Sequence, residues 1–414
     1  MAGKVKINDR YIENKVTKGE SIKLLIFHSS GGFIGGSEIY LRNLVHTAVN
    51  DGIDVSVCFG FNSVVPERYD QDLISYGAKI VNINFDPIFQ FGIANFKSIW
   101  QWLGKINPNI VLFNRFANWD SYRNAIIVSL IRGYRVITVE HNDPPAWPKY
   151  PPRKHPPRNL HIRDILKKIR FKLVANQLDA IICMNQIAYH RYINEYGCQS
   201  DIVRLIYNGV DIKKFEFNVN SRNKWREKLG LVSKNIMVIA VGRHSREKGM
   251  DILLESVAML PDAQQKKVTL VLVGNGSEHV ALKQQAIRLK ILAQIKFLGE
   301  RSDIPQLLWA SDLFVCPSRQ ESFGISIAEA MAASRCVIAT RVGGISELMK
   351  DSGILIPPES PEALSKAILN MINNENLRDE FGRLAFQRVS TYFGLERSMQ
   401  QTLDLIKYCT RCNR

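Results

Sequence analysis

The stretch Pro317-Ser-Arg-Gln-Glu-Ser-Phe-Gly-Ile-Ser-Ile-Ala-Glu-Ala-Met-Ala-Ala333 constrains this chain more than any other. The apolar run Leu313-Phe-Val-Cys316 before it has the composition of a buried strand, and its own second half, rich in Ala, Ile and Met, suits a close-packed helix. The order is strand, turn, helix. The helix is expected to begin near Gly324, which leaves Glu321 in the turn and Glu329 more than one turn inside, with seven residues between the two carboxylates. A helix N-terminus at a strand's carboxyl end attracts anions, because its free N–H groups point at the ligand and the macrodipole favours negative charge. Diphosphate suits that position. Carboxylates repel phosphate, so the expected targets of the two glutamates are hydroxyl groups, and a nucleotide sugar carries both kinds of partner. The plainer alternative is a solvated turn residue and a buried ion pair.

The rest of the chain alternates strand and helix signals. Strands are expected at 23–28, 55–59, 79–83, 110–113, 136–140, 180–184 and 203–206, and in a second series at 236–241, 268–273, 294–297, 313–316, 337–340 and 354–356. Apolar strands separated by helical stretches give parallel, doubly wound sheets. With 414 residues and 46% hydrophobic content the chain should divide into two such domains facing a cleft. The expected division is a polar leader over 1–20, a first α/β domain over 21–207 and a second over 208–392. A helix at about 393–414 is expected to pack back on the first domain.

Each domain carries a loop suited to close ligand approach. In the first, the strand at 23–28 runs into Ser29-Ser-Gly-Gly-Phe-Ile-Gly-Gly-Ser37, where Gly35 and Gly36 let backbone come near a bound group. The loop does not spell G-x-G-x-x-G, which speaks against a dinucleotide. In the second, Gly242-Arg-His-Ser-Arg-Glu-Lys-Gly249 places Arg243 and Lys248 at a strand's end, where two cations can stabilise a departing diphosphate. Ordinary surface charge is the alternative for either cation alone. Asp70-Gln-Asp72 has the D-x-D spacing of some metal sites, but it precedes a helical run and reads as that helix's start; no metal is assigned.

The net charge of +16 is concentrated. Residues 149–172 hold nine Lys or Arg and one acid, Asp164. Their first part, Lys149-Tyr-Pro-Pro-Arg-Lys-His-Pro-Pro157, is too proline-rich for helix or sheet. The second sets Ile162, Ile165, Leu166, Ile169 and Leu173 at helical spacing among basic residues, a pattern suited either to an anionic membrane surface or to packing on its own domain. Aromatic interleaving is lacking, so nucleic acid is not the expected partner. No run reaches the ~18 apolar residues of a membrane span, and the leader lacks a secretory signal's hydrophobic centre, which points to the cytoplasm, with peripheral contact at the membrane's inner face. Three of the seven cysteines, Cys58, Cys183 and Cys316, sit in apolar runs, as thiols do in a reducing compartment. Cys409-Thr-Arg-Cys412, without a second pair to complete a zinc site, reads as a frayed tail.

Taken together, Gly242-Arg243 with Lys248-Gly249, Glu321 and Glu329, Asn208-Gly-Val-Asp211, and Gly343-Gly-Ile-Ser-Glu347 before Gly353-Ile-Leu-Ile-Pro357 resemble the retaining glycosyltransferases of the GT-B fold, and among them glycosyltransferase family four, or group one. These motifs span about 208–360. The first domain resembles the family more loosely, through Gly35-Gly36-Ser37-Glu38 and Val139-Glu-His141. The resemblance implies two Rossmann-like domains and transfer of a hexose-type sugar from a UDP-, GDP- or ADP-sugar to a glycan or lipid-linked acceptor, as in cell-surface polysaccharide or glycolipid synthesis, without a cofactor. It implies that Glu321 holds the donor sugar's hydroxyls, Glu329 the ribose, and Arg243 and Lys248 the diphosphate. The backbone at Gly242, Phe323, Gly324 and Ile325 would line the donor, Gly35 and Gly36 would close on it, and His141 would lie near the reacting carbon. The long excursion after His141, formed by Asn142-Asp-Pro-Pro-Ala-Trp147 and the basic segment 149–172, is the candidate for acceptor recognition. A GT-B epimerase or phosphorylase, and a non-catalytic sugar-nucleotide-binding scaffold, are the alternatives.

Overall fold

The structure, a computed structural model, describes residues 21–411 apart from 29–31, 33, 60–63, 66–67, 82–92, 116–121, 145–157 and 232–234. The leader over 1–20, the proline-rich basic loop, Trp147 and Cys412 lie outside the described residues.

Among the described residues, thirteen strands form two wholly parallel sheets. The first contains β1 (Lys23–His28), β2 (Asp54–Phe59), β3 (Lys79–Ile80), β4 (Ile110–Arg115), β5 (Arg135–Glu140), β6 (Ala180–Cys183) and β7 (Val203–Leu205), in the order β3-β2-β1-β4-β5-β6-β7. The second contains β8 (Ile236–Val241), β9 (Val268–Val273), β10 (Ile295–Gly299), β11 (Leu313–Cys316), β12 (Cys336–Thr340) and β13 (Ile354–Ile356), in the order β10-β9-β8-β11-β12-β13. Helices cover both faces of each sheet, so the central strands are buried on both sides. That is why β8 reads as the unbroken apolar run Ile-Met-Val-Ile-Ala-Val instead of alternating.

The order of each sheet reverses once, between β1 and β4 in the first and between β8 and β11 in the second. Loops leaving neighbouring strands in opposite directions open a crevice at such a point, at the strands' carboxyl ends. Both of the chain's glycine-rich loops and the Glu321 turn follow strands that border these two crevices.

The chain passes between the domains twice, and the two passes lie side by side. Val210 N–H donates to Phe393 O at 2.9 Å and Leu395 N–H to Val210 O at 2.9 Å. Gly209 makes this closeness possible, since a Cβ there would stand 2.6 Å from the Leu395 Cα. The helix Leu395–Arg411 then lies on the first domain, with Met399, Leu403, Ile406 and Cys409 buried. The Tyr40 and Thr402 hydroxyls are 3.2 Å apart, and Lys407 Nζ is 2.6 Å from Asp51 Oδ2. Cys409 is therefore no frayed tail: it is 4% exposed, on the apolar face of a helix whose amphipathic pattern decides the packing.

Candidate active site

The second crevice is built by pressing three loops together. After β8 the chain passes Gly242 and makes a short 3-10 turn, Arg246–Lys248, which ends at Gly249 in the left-handed conformation with φ of 65°. A Cβ on Gly249 would stand 2.1 Å from the Pro317 carbonyl oxygen, so only glycine admits the loop that follows β11. Arg319 N–H donates to Glu247 O at 2.7 Å, and Gly344 N–H to Glu321 O at 3.2 Å. Gly343, with φ of 48°, brings the third loop in; a Cβ there would lie 1.7 Å from Glu321 O.

This compression places Lys248 Nζ 2.6 Å from Glu321 Oε2. Burial pulls the Lys248 ammonium down, but the Glu321 carboxylate more than offsets this and holds its pKa above the ordinary value. The lysine stays charged. Arg243 Nη2 lies 3.6 Å from Glu247 Oε1 on the same loop. Gly324 caps the helix Ile325–Ala332 in the left-handed conformation, with φ of 90°, and the first-turn amides of Ile325 and Ser326 precede any intrahelical acceptor. Phe323 is buried beneath them. Glu329 is the fifth residue of this helix. Burial raises its carboxyl pKa to about 7, with Lys214 and, from the first domain, Arg42 drawing it back down.

The first domain meets this wall. Gly36 opens the helix Gly36–Asn50, and a Cβ on it would lie 3.8 Å from the Ile325 side chain. His141 follows β5, and its Nε2 is 2.6 Å from Asn114 Oδ1. Burial first, then the nearby His28, lower the His141 pKa to about 3, so its imidazole is neutral across the physiological range. Two residues on, Asp143 N–H donates to Ser322 Oγ at 3.0 Å. Asn185 Nδ2 donates to Asp143 Oδ1 and to Ser322 O, each at 2.6 Å. A further bridge runs through Glu347, whose Oε2 accepts from Gln186 N–H at 2.9 Å while its Oε1 accepts the Tyr207 hydroxyl.

The second domain thus brings Lys248 onto Glu321 and sets Ile325 against Gly36 of the first domain, while Asp143, two residues after His141, meets Ser322, the residue after Glu321. Sequence reasoning gave no role to Asn185 or Ser322 and placed Asp143 only in the acceptor-recognition segment, whereas these three side chains and backbones join the two domains.

Two family models match this chain in succession, "Glycosyltransferase Family 4" over residues 34–214 and "Glycosyl transferases group 1" over residues 221–388. The chain belongs to the group 1 glycosyltransferases of family 4. This glycosyltransferase resembles Anabaena HepE, solved with UDP and glucose, at a TM-score of 0.75 and 24% identity over 94% of this chain and all of that one. Its two facing parallel-sheet domains are the GT-B fold. An uncharacterised glycosyltransferase of Methanocaldococcus jannaschii is 26% identical over 92% of this chain and 97% of its own length. The D-inositol 3-phosphate glycosyltransferase of Nocardioides is 28% identical over 56% of this chain and 54% of its own. The chain spans about half the length of several of the curated relatives it matches.

Proposed function

We propose that this glycosyltransferase moves a hexose-type sugar from a nucleotide-diphosphate sugar to a glycan or lipid-linked acceptor with retention of configuration, serving cell-surface polysaccharide or glycolipid synthesis. The observation that carries the reading is the Lys248–Glu321 pair at 2.6 Å, set before a helix N-terminus and across the cleft from a neutral histidine. Lys248, Arg243 and the amides of Ile325 and Ser326 supply positive charge where a diphosphate would leave, so the chain's own groups suffice to stabilise departure without a metal. Glu321, fixed by Lys248, is left one carboxylate oxygen for sugar hydroxyls, and Glu329 faces the ribose. The carboxylates here are already engaged, Glu321 with Lys248 and Asp143 with Asn185, which favours attack by the acceptor from the leaving group's own face over an enzyme nucleophile.

A panel of UDP-, GDP- and ADP-sugars tests this, read by thermal stabilisation and nucleoside diphosphate release. One donor should stabilise the protein and lose its effect in Arg243→Ala. Its affinity should rise roughly fivefold between pH 6 and 8 as Glu329 ionises and its hydrogen bonds become charge-assisted, and be flat in Glu329→Gln. Stabilisation by a donor without nucleoside diphosphate release would make the scaffold reading the better one, and no stabilisation of folded protein by any donor would overturn the nucleotide-sugar site itself.

The acceptor side is proposed to rest on an anionic membrane. In the helix Arg158–Ala175, Phe171 and Val174 turn toward the domain, while Leu166, Ile169 and Leu173 form an outward stripe, 47%, 49% and 65% exposed, beside Lys168, Arg170 and Lys172. An apolar stripe flanked by cations matches a headgroup layer. Among the described residues no helix is long and apolar enough to cross a membrane. Neutralising Lys167, Lys168, Arg170 and Lys172 should weaken binding to phosphatidylglycerol vesicles at least about a hundredfold, since each cation near such a surface contributes roughly 1 kcal/mol. Unchanged binding would reject the membrane contact.

A further inference from the structure

The parallel pairing at the first crevice sets His28, the last residue of β1, opposite Asn114 on β4, and β5 then delivers His141 beside them. Three strand ends bring three polar side chains into contact. His28 and Asn114 are fully buried, so their hydrogen bonds are enforced. Asn114 Nδ2 lies 3.2 Å from Ser37 O and 3.0 Å from His28 Nδ1. A backbone carbonyl can only accept, so the Ser37 oxygen fixes which end of the amide faces it: the NH2 group. The amide oxygen is thereby turned to His141, 2.6 Å from its Nε2. An oxygen can only accept, so that nitrogen must carry the proton. By the same logic His28 Nδ1 accepts, and its proton sits on Nε2, 3.4 Å from Glu38 Oε1.

Glu38 closes the chain. Its other oxygen accepts from Gly35 N–H and from Ser37 Oγ, both at 2.9 Å. Burial alone would push this carboxyl up, but His28, Gly35 and Ser37 together hold its pKa below the ordinary value. One anion therefore ties the glycine loop to the histidine pair. Tyr40, packed edge-on to the His141 ring at 5.2 Å, holds the plane of the ring from the other side.

We propose that Asn114, anchored by the Ser37 carbonyl and backed by His28 and Glu38, is a positioning residue that locks His141 in the Nε2–H tautomer. Nδ1, which has no partner among the described residues, is then the lone-pair face offered to the cleft. Its use, accepting a hydrogen bond from a substrate hydroxyl, rests on the glycosyltransferase reading above. The tautomer itself does not. Neutrality matters for this use, because an imidazolium carries a proton on both ring nitrogens and could only donate, whereas the Nε2–H tautomer keeps a lone pair on Nδ1.

The test is long-range 1H–15N spectroscopy of the full-length protein labelled at histidine, with the His141 signals identified by their loss in His141→Gln. The ring should show the Nε2–H pattern and no titration between pH 5 and 9, where a free histidine would titrate near its ordinary value. In Asn114→Asp the new carboxylate should stabilise the imidazolium and raise the titration midpoint by at least about one pH unit, adding an acidic limb to the pH profile of turnover. An Nδ1–H pattern, an ordinary titration in the wild type, or an identical midpoint in Asn114→Asp would overturn the proposal. The wild-type spectrum decides even where the variant fails to fold. It also decides where no donor is turned over, which separates failure of the tautomer lock from failure of the enzymatic reading.

Discussion

Replacing Glu321 by alanine is expected to lower sugar transfer by at least about a thousandfold, the scale seen when a preorganised electrostatic partner is removed from a transition state. The fold should survive. Glu321 and Lys248 are 14% and 23% exposed at their side chains, so water reaches the ammonium left behind, and the loops that carry the pair are joined by backbone hydrogen bonds that the substitution leaves intact. A thermal transition within a few degrees of the wild type, together with lost turnover, is the expected pair of results. Activity within tenfold of the wild type would mean that the carboxylate does not hold the donor.

The second large effect should come from a single methyl group. Gly343→Ala would put a Cβ 1.7 Å from the Glu321 carbonyl oxygen and 3.4 Å from Asp143 Oδ2, at a φ of 48°. Left-handed strain costs about 1–2 kcal/mol and overpacking about 1–3 kcal/mol, so a loss of roughly 2–5 kcal/mol is expected. Because the clash falls on the turn that carries Glu321, activity should fall at least about a hundredfold, as it does for misplacements near 1 Å. Gly299→Ala is the comparison. Gly299 has a similar φ of 66°, but nothing lies within 4 Å of its added Cβ, so it should lose only the strain energy and keep full turnover. Equal behaviour of the two variants in denaturation and rate measurements would show that the crowding of the three loops is unimportant.

What could be read from the sequence was what the chain encodes locally. The strand before Pro317, the helix start near Gly324, and the separation of Glu321 from Glu329 all sit within one strand-turn-helix unit, where spacing and residue type decide the outcome. The central strands were legible for the same reason, since both-face burial leaves continuous apolar runs such as β8 and β11. The Asn114 relay was not legible. Its members are 86 and 27 residues apart, and only the pairing order of β1, β4 and β5 makes them neighbours. Asn185 and Ser322 meet for a comparable reason, across 137 residues. The basic helix shows the limit in another form: spacing revealed the stripe of Leu166, Ile169 and Leu173, but which way a stripe faces depends on the surface beneath, and Phe171 and Val174 took that side.

The helix Leu395–Arg411 has a consequence for the order in which the molecule is made. Tyr40 and Thr402 touch across 362 residues, so the first domain is covered by a segment that the ribosome supplies only after the whole second domain. A nascent chain long enough to form the first sheet still lacks Met399, Leu403 and Ile406, and the groove they fill stays open to water throughout that interval. Loop closure over such a span adds little entropy cost once the second domain has folded, because that domain draws the intervening residues into a short connection. The first domain can thus be completed only when the last helix of the chain has been made, after the second domain is already in place to carry it.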